Sequence, residues 1–138
     1  LAFVCVLTGI DSLAGLFAPK KPTGERFRLF VLKYFPDDHK EYSQQFWDFR
    51  NAMIHSFNSG PFALTCQRSR NHLKTISTAS GDMPILNIED FFSALLVAYR
   101  NYFDSLFLEN DLQSNFQKRI SQDDGGAPQT WSMTEHRH

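Results

Sequence analysis

Cysteine is scarce. Cys5 and Cys66 are the only two, each lies within an apolar run, and neither has a partner at metal-ligand spacing. This excludes a disulfide scaffold, and both are expected as buried free thiols in a reducing, cytoplasmic setting. No apolar run is long enough to span a bilayer. The opening Leu1-Ala2-Phe3-Val4-Cys5-Val6-Leu7 has no basic residue before it, and Asp11 interrupts the stretch soon after, so a buried first helix is expected rather than a signal peptide. A Gly-rich phosphate loop is missing, as is any cluster of His, Asp and Glu at ligand spacing, so neither cofactor nor metal is expected. There is no internal repeat. A net charge of −1 excludes a protein that coats nucleic acid broadly.

One local absence is more telling. No acidic residue stands between Asp48 and Asp82, while Arg50, Arg68, Arg70 and Lys74 fall inside that window. The other 10 basic residues share the rest of the chain with all 15 acidic ones, a balance of −5. An anion would be drawn to this segment.

What the chain does have is phenylalanine, 14 of 138 residues, within a 42% apolar composition. That supports one aromatic-rich core and a single domain over 1–122, with 123–138 expected as a disordered tail. Residues 1–17 read as an apolar helix, bent near Thr8-Gly9, with Asp11 and Ser12 as its polar exceptions. Thr23 is expected to cap a second helix with Phe27, Phe30, Val31 and Tyr34 inward, ended by Pro36. Asp38 and Glu41 suggest a capping box opening a third helix over 38–58, whose buried stripe would be Tyr42, Phe46, Phe49, Met53 and Phe57.

Helical period is lost over 62–88. Phe62, Leu64 and Cys66 alternate, Gln67 to Asn71 is a polar turn, and Leu73 to Ile76 favours a strand, so a small hairpin is expected there. Ser80 to Pro84 reads as loop. Asn87 should cap a long helix reaching Glu109, with Ile88, Phe92, Leu95, Tyr99, Tyr102 and Leu106 on its inner face. A shorter helix over 110–122 would follow, with Leu112, Phe116 and Ile120 inward. The expected fold is mainly α, a bundle of four to five helices with a hairpin inserted between the third and fourth.

The run Arg50-Asn51-Ala52-Met53-Ile54-His55-Ser56-Phe57 lies near the end of the third helix, just before the stop Asn58-Ser59-Gly60-Pro61. Trp47, Asn51, His55 and Asn58 form one polar stripe, and Arg50 stands beside it within reach of the same surface. An imidazole that titrates near neutrality can move the proton of an RNA 2′-hydroxyl, and a guanidinium can stabilise a phosphorane, without a metal. The same residues also fit a structural role, with Arg50 paired to Asp48 or Asp11 and His55 at the helix's last carbonyls.

Arg-Asn-x-x-x-His-x-aromatic on a long helix of a small bundle resembles the HEPN (higher eukaryotes and prokaryotes nucleotide-binding) superfamily. The resemblance implies an HEPN-like bundle that dimerises and pairs two such helices into a metal-independent ribonuclease acting on single-stranded RNA. Arg50 and His55 would then be catalytic and Asn51 supporting, in a toxin–antitoxin or defence-related setting, with no membrane and no metal. Several toxin members carry Tyr where this chain has Phe57, so control through that hydroxyl is excluded. Arg68, Arg70 and Lys74, with His72 among them, are candidate substrate-binding residues at the hairpin tip. The alternative is a non-catalytic module for dimerisation or for binding nucleic acid or nucleotide.

Overall fold

A computed structural model describes residues 1–66 and 71–123. Its elements are α1 (Ala2–Phe17), α2 (Thr23–Tyr34), α3 (Asp37–Lys40), α4 (Ser43–Ser56), β1 (Ala63–Thr65), β2 (Thr75–Thr78), β3 (Gly81–Asn87), α5 (Ile88–Leu106) and α6 (Asn110–Asp123). The fold is mainly helical with a small three-stranded sheet. The expected tail at 124–138 lies outside the described residues, while Asp123 closes α6.

Apolar spacing explains the helices closest to the core. In α1, Phe3, Val6, Leu7, Ile10, Leu13 and Ala14 are buried, and in α2 so are Phe27, Phe30, Val31 and Tyr34. Thr23 does not cap α2: Pro22 occupies that position and no side-chain cap bond forms. Proline's fixed φ and missing N–H suit a helix entrance, so the start needs no hydroxyl cap. Gly24 allows α2 to approach α4, since a Cβ there would lie 3.0 Å from the Trp47 indole.

The expected third helix is two pieces. One turn, α3, ends at Lys40, and α4 begins at Ser43. Asp38 does not close a capping box. Its carboxylate instead meets Nδ1 of the buried His39 at 2.7 Å, where an imidazole removed from water needs a partner. Phe46 and Phe49 are buried as expected, but Phe57 is 84% exposed. The chain turns left-handed there, with φ 52° and ψ 40°, and this swings the ring off the buried stripe. The N–H groups of Phe57 and Asn58 donate to Met53 and Ala52 carbonyls, which closes α4 in the manner usually served by glycine.

The insert is a sheet rather than the expected hairpin. β3 is central, paired in parallel with β1 (Ala63↔Ile85) and antiparallel with β2 (Ile76↔Met83). The segment read as loop around Pro84 is therefore strand. Pro84 is tolerated because β1 pairing starts one residue later, at Ile85, leaving Pro84 beside β2 alone. Gly81, at φ 109°, opens β3 after the tight Ala79-Ser80 turn.

Asn87 caps α5 as expected, its Oδ1 accepting from the N–H groups of Glu89 and Asp90 at 3.0 and 3.2 Å. The inner face is shifted from the expectation: Tyr102 and Leu106 are buried and Ile88 and Leu95 pack against the core as expected, Phe91, Ala94 and Ala98 join them, and Phe92 and Tyr99 are half exposed. The two alanines let α5 approach closely, and the buried aromatics fill the space between helices. Phe91 stacks on Phe46 at 5.0 Å, and Tyr102 packs edge-on against Tyr34 at 5.5 Å. In α6, Leu112 is buried and Phe116 packs on the core. Both cysteines are exposed rather than buried. Among the described residues, no helix is long and apolar enough to cross a membrane.

Candidate functional site

Arg50 is held on three sides. Its Nε donates to Asp11 Oδ2 at 2.9 Å, its Nη1 donates to Asn51 Oδ1 at 3.1 Å, and its Cζ lies 4.9 Å from the centre of the Trp47 ring. Each contact has a local cause. Asp11 is the acidic exception of the apolar α1 and looks toward α4, while Trp47 is braced from behind by Phe27 at 5.4 Å. Among the described residues Nη2 has no hydrogen-bond partner. Asp11 Oδ1 is likewise buried without one.

His55 sits one turn beyond Asn51 and is exposed, with no hydrogen-bond partner among the described residues. Five residues on a helix separate Arg50 and His55 by about 140° around the axis. A single copy therefore presents the two groups on neighbouring surfaces without closing them on one atom. Around His55, Ile54 and Phe57 form an exposed apolar rim.

Of the other sequence candidates, Arg68 and Arg70 lie outside the described residues. Lys74 is exposed just before β2, and its backbone joins the sheet by accepting from the Ile85 N–H at 2.9 Å. No hydrogen bond or ion pair among the described residues connects it to Arg50. In the second Arg-Asn pair, Asn101 donates to the Tyr34 carbonyl at 3.0 Å, so it ties α5 to the end of α2.

A second polar cluster has no motif to announce it. The Asn87 N–H donates to His72 Nδ1 at 3.1 Å, His72 Nε2 meets His39 Nε2 at 3.0 Å, and His39 Nδ1 meets Asp38 at 2.7 Å. Because His72 Nδ1 accepts, its Nε2 carries the proton and donates to His39, whose Nδ1–H then donates to Asp38. Burial, and next the neighbouring His39, push the pKa of His72 below its ordinary value, while Asp90 and Asp38 pull it back up in part. The cluster borders a cleft of about 220 Å³ that also touches Asp90 and Ser93. In the sequence the two histidines are 33 residues apart, a separation that no helix or hairpin period relates.

Among the described residues, no group of three or more His, Cys, Asp or Glu is placed to hold a metal ion. The arrangement at Arg50 can bind an anion beside a proton-transfer group, and two copies of that surface would supply two imidazoles and two guanidinium groups. Compared with known protein families, curated proteins and solved structures, the chain matches none of them.

Proposed function

We propose that this chain is an HEPN-like domain that works as a homodimer and cleaves single-stranded RNA without a metal. Two Arg50–His55 surfaces form the site. The observation that carries the reading is the Arg50 guanidinium, fixed between Asp11 and Trp47 with Nη2 unbonded among the described residues and an exposed His55 on the same helix. A fixed guanidinium loses little freedom when it meets a phosphate, and its charge is in place before the phosphorane forms.

The chemistry balances with two imidazoles. One His55 accepts the proton of the 2′-hydroxyl as O2′ bonds to phosphorus. The His55 of the other copy, protonated beforehand, gives its proton to O5′ as the P–O5′ bond breaks. The products are a 2′,3′-cyclic phosphate and a 5′-hydroxyl. Arg50 stabilises the charge on the equatorial oxygens, and Asn51 holds Arg50 Nη1 in line. Purified protein is expected to cut unstructured RNA in EDTA and to leave cyclic ends. Intact RNA, or linear 3′-phosphate ends from the start, would remove the reading.

A second reading has its own support. Asp11 already neutralises Arg50, as it would in a non-catalytic module that uses the bundle for dimerisation or for holding a nucleic acid or nucleotide. RNA that is bound and left uncut, with binding lost in Arg50→Ala, favours that module.

A further inference from the structure

α6 lies across the C-terminal halves of α1 and α5 and runs back along both. On the α5 side, Gln113 Nε2 donates to the Leu106 carbonyl at 2.9 Å, and Phe116 packs edge-on against Phe103 at 6.2 Å. On the α1 side, Asn115 Nδ2 donates to the Phe17 carbonyl at 3.3 Å, and the Arg119 guanidinium lies against Gly15, where a Cβ would come within 3.4 Å of it. Residue numbers rise along α6 as they fall along its two neighbours, so Asp123 points toward the N-terminal halves of α1 and α5.

There the seam between α1 and α5 is open. Gly9 lets the two helices meet, since a Cβ at that position would lie 3.0 Å from Leu95. Beside it is an apolar groove of about 280 Å³, formed by Ala2, Cys5 and Val6 of α1 with Ile88, Phe92 and Leu95 of α5. Phe92 is 49% exposed, and the Cys5 side of the groove is exposed as well. On α5 between this groove and Phe103, Leu96 and Tyr99 are also about half exposed. Apolar surface arranged as a groove is stabilised by whatever covers it.

We infer that the chain's own segment after α6 covers this groove, with the Trp131 indole seated between Cys5 and Phe92. Residues 124–138 lie outside the described residues. Their order and length select this occupant. After Asp123 the sequence continues Asp124-Gly125-Gly126-Ala127-Pro128, with glycines and a proline at which a helix stops. Trp131 is the one aromatic residue that follows. From Gly15, level with Arg119, the groove at Cys5 is about 15 Å away along α1, and α6 itself covers about 6 Å of that by Asp123. The eight residues from Asp123 to Trp131 span up to about 26 Å, so the ring reaches the groove with length to spare. A short tether presents the indole at about millimolar concentration, roughly a thousandfold above a second copy at micromolar concentration. The ring buries its apolar body against Phe92 and Leu95 and leaves its N–H at the rim.

The covered groove is separate from the proposed RNA site. Ala2, Cys5 and Val6 stand about 120–180° around α1 from Asp11, the residue that holds Arg50.

Thiol labelling of the full chain tests the inference, in a Cys66→Ser background where Cys5 alone reacts. Trp131→Ser is expected to speed the labelling of Cys5 about tenfold, with circular dichroism unchanged because the helices end at Asp123. Adding Ser132→Cys to the same background, under mild oxidation, is expected to give an intrachain disulfide with Cys5. That disulfide should form at least about tenfold more slowly once Trp131→Ser is also present. Equal labelling with and without Trp131 would overturn the inference. So would a disulfide that forms at the same rate in both, or one that yields chiefly a covalent dimer, because the groove would then be bare or held by another copy. Both readouts compare the same chain with and without one indole, and neither measures RNA or oligomeric state. The proposed homodimer and its cleavage can therefore stand or fail separately.

Discussion

Arg50 and Asp11 are joined at 2.9 Å across 39 residues of sequence, and this one ion pair fastens the motif helix α4 to the first helix of the bundle. Its members are 20 and 22% exposed, so the pair is too sheltered for water to replace either partner fully and too open for a deep desolvation penalty. Trp47 covers the guanidinium from one side.

Removing the acid should therefore cost both stability and function. Asp11→Asn is expected to lower the unfolding free energy by about 1–3 kcal/mol in urea titration, since Arg50 keeps its charge and loses its counterion. Under the proposed function the same change frees the guanidinium to wander and slows RNA cleavage. Unchanged stability would mean that the pair contributes little.

His55 has the opposite profile. It is exposed and makes no hydrogen bond among the described residues, so His55→Ala should change stability by less than about 0.5 kcal/mol. RNA cleavage, in contrast, should fall by at least about a hundredfold. A thermal melt and a cleavage assay on the same sample separate the two effects.

Phe57 stands in a left-handed slot, 84% exposed, where a side chain costs about 1–2 kcal/mol and glycine does not. Phe57→Gly is expected to raise the unfolding free energy by about 1 kcal/mol. A loss of stability would show that the ring makes a contact worth more than the backbone strain.

The His39–His72 link should make stability depend on mildly acidic pH. The His72 pKa is depressed below its ordinary value near 6.5, so the unfolded chain binds the proton more readily than the folded one. Stability is full above that ordinary value and falls as pH drops below it. The added proton would also place two N–H groups face to face, either at Nε2 of His39 or between His72 Nδ1 and the Asn87 N–H. Melting temperatures across pH 5–8 should slope upward more steeply in the wild type than in His72→Ala, which is less stable throughout. Equal slopes would count against this assignment.

Much of the helical plan was legible in the order of residues. Phe27, Phe30, Val31 and Tyr34 repeat at helical spacing and are buried, and Asn87 accepts the two N–H bonds that an N-cap should. Pairings set by tertiary contact were not legible. Pro84 reads as a breaker until β1 and β2 are seen to meet β3 on either side of it. Phe92 and Tyr99 are as apolar as a core face requires, yet Ala94 and Ala98, being small, are what let α5 close against the bundle. Arg50, Asn51 and His55 were visible as a motif, and Asp11 as a polar exception on α1. The His39–His72 contact joins segments that share no periodic relation, so only the folded chain shows it.

The central claim is that two copies of the Arg50–His55 surface form one RNA-cleaving site. The most direct measurement is cleavage of an unstructured RNA in EDTA by wild type, by Arg50→Ala, by His55→Ala, and by the two variants mixed after co-refolding. The account expects cyclic-phosphate products from the wild type, loss in each variant alone, and no recovery in the mixture, where a paired site holds a single His55 and lacks the second imidazole that protonates O5′. Cleavage that survives His55→Ala, or a wild type that leaves the RNA whole at every concentration, would contradict it.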